Sequence, residues 1–495
     1  MENGTITVGS ITGDTELTGG RTFEVFDPGR LSDLVGVVTT ASALDVDGVV
    51  AAARRAQAGW AKVDVEERAD LVRRAAAELG RIEGLAELMT REGGSVLSIT
   101  RNELVGSAAA MSHAADVGVA LLSENKTFAD DASRVSVEAR PYGVVVCIVP
   151  WNAPVVLTMQ KVAPALVAGN VVIVKPSPYA PLAVSVLLRR FAALFPPGVI
   201  SVLHGDSEVG SALIAHPAVR KISFTGGPET AKAIMRSAAE SLTEVHFELG
   251  GNDPAIVLDD ADLDFTVDKI AGYAFRRAGQ VCYAIKRVYV PRRIAADFNE
   301  RLLARVGEIA VGYGLDEHAA MGPVNNKLQF QKIAALHERL AGSGASVHIG
   351  GTRLSPDTWE DGYYFQPAVV FGADPSDEIV TGEQFGPILP VVTYETEAEA
   401  VAMANGTEYG LGSSVWSSDE QRAVALAAQI EAGITVINGH ALSPLGRKEA
   451  PFGGTKQSGM GWENSSYGLM EYVEFHSTDV HVRKSLSGGE ADGAP

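Results

Sequence analysis

From Val144 onward the chain alternates short, wholly apolar runs with helix-like segments, and this alternation restricts the fold more than any other feature. The runs cover residues 144–149, 171–174, 200–203 and 222–224. The segments between them cover 157–167, 182–194 and 209–216. A strand that is apolar on both faces must be covered on both, and crossover helices make neighbouring strands parallel. The expectation is an α/β fold with a doubly wound sheet, binding its ligand beyond the carboxyl ends of the strands. Each run ends there in a distinctive loop: Pro150-Trp151-Asn152-Ala153-Pro154 after Val149, then Lys175-Pro176-Ser177-Pro178, His204-Gly205-Asp206, and Thr225-Gly226-Gly227 after Phe224.

A second α/β region is expected from Gly251 to about residue 440, with apolar runs at 255–258, 286–290 and 413–416. The 495 residues are too many for one ordinary core. Helices are expected to start near Asp45 and Asp47 as caps, and to cover 66–79 and 82–92. Segments 133–139 and 478–483 alternate polar with apolar residues, as half-exposed strands do. Paired, they would form a protruding sheet whose edge another subunit covers. The first twenty residues, rich in Gly and Thr, are expected to be loosely held, and the small polar tail from Ser485 to be disordered.

A net charge of −20 argues against nucleic acid or an anionic membrane as partner. The start of the chain does not read as a signal peptide, and no run approaches the roughly 18 apolar residues of a membrane helix. Two cysteines make no disulfide framework, so a reducing cytoplasm is the expected setting. Cys147, inside an apolar run, reads as inert packing. Cys282 differs: it sits in Gly279-Gln280-Val281-Cys282-Tyr283-Ala284, a turn of small residues. Upstream, Phe247-Glu248-Leu249-Gly250-Gly251-Asn252 sets one carboxylate beside paired glycines. An accessible thiol and a carboxylate of raised pKa make a candidate nucleophile and base. Asn152, fixed between prolines, is a candidate donor to an oxyanion. No G-x-G-x-x-G occurs, yet Thr225-Gly226-Gly227 ends a strand and opens a helix, where backbone approaches a pyrophosphate. Lys175 would face ribose hydroxyls. No metal site is expected.

The segments PWNAP, VVIVKPS, ISFTGG, FELGGN, GQVCYA, EQFGPILP and PFGGTKQSG, in this order from about Phe23 to about Arg483, resemble the NAD(P)-dependent aldehyde dehydrogenase superfamily. The resemblance implies two doubly wound, Rossmann-like domains: a cofactor domain over 1–122 and 141–249, and a catalytic domain over 250–456. A small oligomerisation sheet over 123–140 and 470–485 would join dimers or tetramers, ahead of a disordered tail at 486–495. It implies that Cys282 attacks the aldehyde, that Asn152 and the Cys282 N–H hold the oxyanion, and that Glu248 activates water to hydrolyse the thioester. Cofactor contacts would come from Val149, Pro150, Trp151, Lys175, Ser177, Pro178, Gly205, Val209, Phe224, Thr225, Gly226, Gly227, Leu249, Gly250, Glu383 and Phe385. Ala153, Leu157, Gln160, Tyr283 and Phe452 would line the substrate pocket, and Glu463 would help relay protons.

Some positions depart from the family pattern. Pro178 stands where many NAD-preferring members carry a ribose-binding glutamate, so NAD is expected with NADP open. Gly227 replaces a common serine, and Trp462 a common arginine. The loop 439–450 holds Arg447 and Lys448: either it is a solvated basic loop, or one of the two meets an anionic or hydroxyl-bearing aldehyde. Two other functions are weighed: a CoA-acylating semialdehyde dehydrogenase, which would generally lack Glu248, and a catalytically silent relative, against which intact Cys282, Asn152 and Glu248 argue.

Overall fold

The computed structural model describes residues 5–481 apart from 14, 18, 19 and 343. Strand Val144–Ile148 lies inside an eight-stranded sheet. On one side Val171–Lys175 and then Ile200–Val202 add in parallel; on the other, Val219–Thr225 and then Glu244–Glu248. Ile148 is level with both Lys175 and Phe224, and Thr225 with Glu248, so the carboxyl ends of these strands form one rim. The chain leaves Val144–Ile148 on one side and later returns to its other side. That reversal opens a crevice between the loops after Ile148 and Thr225. The apolar runs seen in the sequence are these strands, and Val145, Val172, Ile173 and Ile222 are wholly buried.

The crossover helices start where local chemistry allows. Pro154 opens Pro154–Val167 and Pro228 opens Pro228–Ala239, each with its fixed φ in the first turn. The Asp206 side chain caps Ser207–Ala215, accepting from the Glu208 and Val209 N–H groups. At the first long helix, Ala43–Trp60, Ser42 rather than Asp45 or Asp47 is the cap. Asp45 is the acidic member of a capping box, its carboxylate accepting from the Ser42 N–H at 2.7 Å.

A second, seven-stranded sheet has its own hydrophobic core. Asp253–Val257 is flanked by Ile285–Pro291, Ile388–Tyr394 and Ala368–Phe371 on one side and by Gly412–Trp416 and Ile434–Ile437 on the other, all parallel. Ser346–Ile349 closes one edge antiparallel. In a third sheet, Ser133–Pro141 pairs antiparallel with Val473–His481, Ser136 opposite Thr478, and Lys126–Ala129 forms the far edge. Phe128 and Phe475 on this sheet are exposed. The end of segment 478–483 and the tail lie outside the described residues.

Two expectations are corrected. The N-terminal segment is tied down where it is described: Ile6–Gly9 pairs in parallel with Arg30–Thr39, and Ile11–Thr12 adds antiparallel to Ile200–Val202. Buried Val8 and Ile11 anchor it despite the surrounding Gly and Thr. One helix, Leu97–Leu122, is long and apolar enough by length and composition to cross a membrane. In this fold it packs against Val65–Glu78 and Pro154–Val167 and buries Thr100, Glu103 and Ser107.

Candidate active site

Cys282 lies between two sheets, three residues before strand Ile285–Pro291. The turn before it is unusual: Arg277, Ala278 and Gly279 have φ of 53°, 54° and 73°. Non-glycine residues in this region cost roughly 1–2 kcal/mol each, so the surroundings must hold the turn in place. Gly279 has no alternative, because a Cβ there would stand 2.2 Å from the Gly386 carbonyl oxygen. Arg277 supplies the restraint, donating to Glu103 at 2.5 Å, to Ser95 Oγ at 3.0 Å and to the Asn152 carbonyl at 2.8 Å. Glu103 also accepts from the Val155 and Val156 N–H groups at 2.9 and 3.0 Å, capping the helix that follows Asn152. One buried ion pair thus binds the thiol loop, the Asn152 loop and helix Leu97–Leu122 together.

Asn152 is held from both ends. Its carbonyl accepts from Arg277, and its Nδ2 donates to the Gln280 carbonyl at 3.0 Å. One amide hydrogen is used in that bond and the other remains for a ligand beside Cys282. Asn152→Ala is expected to lower kcat by about 10²–10³, the usual cost of one oxyanion donor, with a smaller change in KM; steady-state kinetics on a neutral alkanal checks it.

Glu248 ends its strand fully enclosed, and no donor bonds its Oε1 among the described residues. Burial and the nearby Glu463 carboxylate push its pKa well above the ordinary range, with Lys161 opposing. Lys161 bonds Glu463 at 2.5 Å in a fully buried pair. His246 Nε2 lies 3.6 Å from Glu248 Oε1, and burial keeps this imidazole neutral. Two carboxyls facing one ammonium favour a protonated Glu248 at rest, which is a stronger base once it loses that proton.

Burial also pushes the Cys282 thiol up, to about 12; Lys286 opposes this, whereas Glu248, Glu383 and Asp253 add to it. Buried Lys286 donates to the Val281 carbonyl at 2.9 Å and to the Cys282 carbonyl, and pairs with Glu383 at 3.3 Å. Alkylation of Cys282 by iodoacetamide in the cofactor-free protein is therefore expected to accelerate about tenfold per pH unit up to pH 10 without levelling. Lys286→Met should slow it at every pH, since the opposing positive charge is gone. A plateau near pH 7 would show that the thiol is not held protonated in this way.

The cofactor candidates share the crevice rim. Lys175 Nζ donates to the Gly205 carbonyl at 2.8 Å, and Glu383 accepts from the Gly251 N–H at 3.2 Å. Phe385, at φ 49°, meets the Trp151 ring edge-on at 5.4 Å, next to Pro150. Val149 is buried beneath the rim, as are Phe224 and Leu249, while Ser177 and Pro178 lie towards solvent. Packing admits only glycine at two places on this rim: a Cβ on Gly226 would strike the Phe224 ring at 2.4 Å, and one on Gly250 would strike Glu383 at 2.1 Å. Gly227 faces open space at a helix N-terminus. The buried Thr225 hydroxyl has no partner among the described residues. Val209 is a buried side chain like Val149, and at Gly210 a Cβ would stand 3.4 Å from Lys175 Cε.

Cys282 and Asn152 open onto a cavity of about 690 Å³ whose lining includes Ala153, Leu157, Gln160, Tyr283 and Phe452. The Tyr283 and Phe452 rings meet edge-on at 5.8 Å, and Gln160 donates to Asn464 at 3.2 Å. Arg447 and Lys448, on the short helix Gly446–Glu449, reach the same cavity. Glu248 and Glu463 are not in that lining; Glu248 lies under Gly453, where a Cβ would stand 3.3 Å from its Oε1. The sequence reading missed Arg277, Glu103 and Lys286, along with buried Asp253 and His440, which approach to 3.5 Å below the thiol loop. Glu103 and Arg277 look like ordinary surface charges until the fold brings them together.

The sequence profile of the aldehyde dehydrogenase family matches residues 15–478. The chain belongs to the aldehyde dehydrogenase family. Betaine aldehyde dehydrogenase from Staphylococcus aureus, solved with NAD+, superposes with a TM-score of 0.90 at 32% identity, covering 96% of this chain and 95% of its own. A 3,6-anhydro-L-galactose dehydrogenase solved with NADP superposes at 0.91 with 30% identity, covering 96% and 100%. Among aldehyde dehydrogenases, the architecture of two large sheets facing across the thiol loop is therefore the family's own fold.

Proposed function

We propose that this aldehyde dehydrogenase converts an aldehyde to the carboxylic acid with NAD or NADP, through a thioester on Cys282 that water releases. The observation that carries the reading is the pairing of Cys282 and Asn152 at one cavity wall with an enclosed carboxyl, Glu248, close enough to perturb the thiol. Cys282 loses its proton and its sulfur adds to the aldehyde carbon. The carbonyl oxygen becomes an oxyanion, held by the remaining Asn152 amide hydrogen and the Cys282 N–H. Lys175, Glu383 and the Gly226–Gly227 turn would hold a nicotinamide dinucleotide along the crevice, whose chemistry would be to accept the hydride that leaves the former aldehyde carbon as its C=O re-forms in the thioester on Cys282. Glu248 then takes a proton from water, the hydroxide adds to the thioester, and the C–S bond breaks to free the acid and regenerate the thiol. The Lys161–Glu463 pair offers the proton a route away from Glu248.

Pro178 stands where many NAD-preferring members carry a ribose-binding glutamate, and a proline brings no carboxylate to repel a 2′-phosphate, which supports use of either dinucleotide. Exposed Phe128 and Phe475 on the small sheet support a dimer or tetramer, and two unpaired cysteines support a reducing cytoplasm. An initial-rate screen of aldehydes with NAD and with NADP tests the reading: carboxylic acid formed in step with reduced cofactor, without CoA, supports it. A requirement for CoA, with acyl-CoA as product, would favour the acylating alternative.

A further inference from the structure

This inference rests on the proposed aldehyde oxidation at Cys282. The chain carries 61 acidic and 41 basic residues, so an average patch of its surface is acidic. The cavity at Cys282 reverses that balance. Its only carboxylate is Glu103, already committed to Arg277 and two backbone N–H groups. The remaining charged residues of the lining are Arg276, Arg447 and Lys448, and none of them forms an ion pair among the described residues. Arg447 donates once, to the Leu442 carbonyl at 3.1 Å. The Arg276 and Lys448 side chains make no hydrogen bond among the described residues.

These cations come from two separate stretches of chain. Arg276 precedes the strained thiol turn, and Arg447 and Lys448 lie on the short helix Gly446–Glu449, whose Lys448 carbonyl meets His113 Nε2 at 3.0 Å. The two arginines converge near Tyr283, the residue after Cys282: burial raises its phenol pKa, while Arg276 and Arg447 both act against that rise. An isolated exposed lysine or arginine is usually just solvated. Three unpaired cations at the wall of one reactive cavity, in an acidic protein, create a local positive field that selects the charge of what enters. Guanidinium groups also match a planar carboxylate with paired N–H donors.

We infer that the substrate is an anionic aldehyde, its aldehyde carbon at Cys282 and its far, negatively charged group held by Arg276, Arg447 and Lys448. The simplest such molecules are semialdehydes ending in a carboxylate. A phosphate-bearing aldehyde presents the same chemistry to the same cations.

The test is kcat/KM for four aldehydes of matched length: a terminal-carboxylate semialdehyde, a phosphorylated aldehyde, a neutral n-alkanal and a trimethylammonium aldehyde. Charge-assisted hydrogen bonds are expected to favour at least one anionic aldehyde over the alkanal by about tenfold or more, mainly through KM. Whichever anion leads identifies the group that is bound. In the Arg276→Gln, Arg447→Gln, Lys448→Gln triple variant the ratio of anionic to neutral substrate should collapse towards one. In the wild type it should shrink as salt rises. Because the readout is a ratio within one protein, partial loss of folded enzyme does not imitate it. Equal kcat/KM for anionic and neutral aldehydes, a lead for the trimethylammonium aldehyde, or a ratio that survives the triple substitution would overturn the inference while leaving aldehyde oxidation standing. Failure to oxidise any of the four would overturn both.

Discussion

Cys282→Ala is expected to abolish aldehyde oxidation, lowering kcat by roughly four to six orders of magnitude, the scale seen when a covalent nucleophile is removed. Without the sulfur there is no thiohemiacetal, and Asn152 has no oxyanion to hold. The substitution should be mild for the fold. Cys282 lines the cavity, while the turn is held by Arg277, Asn152 and Lys286 through backbone groups that alanine keeps. Quenching of tryptophan fluorescence by NAD or NADP should therefore be unchanged, Trp151 reporting from the crevice rim. Persistent aldehyde-dependent reduction of cofactor by the variant would sink the nucleophile assignment.

What the sequence reveals and conceals about this site has a physical pattern. Strand ends were legible because each buried run stops abruptly at a proline or a polar residue, as at Ile148-Val149-Pro150, Val174-Lys175-Pro176 and Leu203-His204-Gly205. Those stops set the rim of the crevice, and the rim carries most of the candidate site. Helix Leu97–Leu122 escaped notice because the first half of its core-facing side is polar: Thr100, Glu103 and Ser107 are buried ahead of Met111 and Ala115. At Gly118 it packs too tightly for any side chain, since a Cβ would stand 2.0 Å from Val167. The positive-φ turn at Arg277 and Ala278 is equally silent, since nothing in those side chains announces a left-handed backbone. Arg277 and Glu103 are 174 positions apart, so only the assembled fold shows that they restrain the thiol loop. Lys286 and Arg287 sit in an apolar strand, where periodicity suggests exposure for one of them, yet both are buried and bonded to backbone carbonyls. Buried charge spent on backbone leaves no periodic trace.

Glu248→Gln should separate the two halves of the reaction. The variant is expected to give one burst of reduced cofactor per active site, then turn over about 10²–10⁴-fold more slowly than wild type, because the thioester forms but its water is no longer activated. Electrostatics makes this a fair test. Glu248 shares its enclosure with the Lys161–Glu463 pair, and burial beside Glu463 raises its pKa, which favours the neutral side chain at rest. Glutamine replaces a neutral acid with a neutral amide of the same size, so the fold has little to lose. pH sharpens the distinction. The base is the carboxylate, and its pKa lies above the ordinary range, so hydrolysis in the wild type should rise with pH through that raised value and fall on acidification. The glutamine variant should lack that limb while keeping any limb that belongs to Cys282. A variant that folds and binds cofactor yet shows no burst would move Glu248 into the first half of the reaction, as the base that takes the thiol proton. A burst with unaltered turnover would remove Glu248 from the chemistry and leave water activation to another group in the enclosure. A burst followed by stalled turnover leaves the acyl group on Cys282, where denaturation and mass measurement of the intact chain would find it.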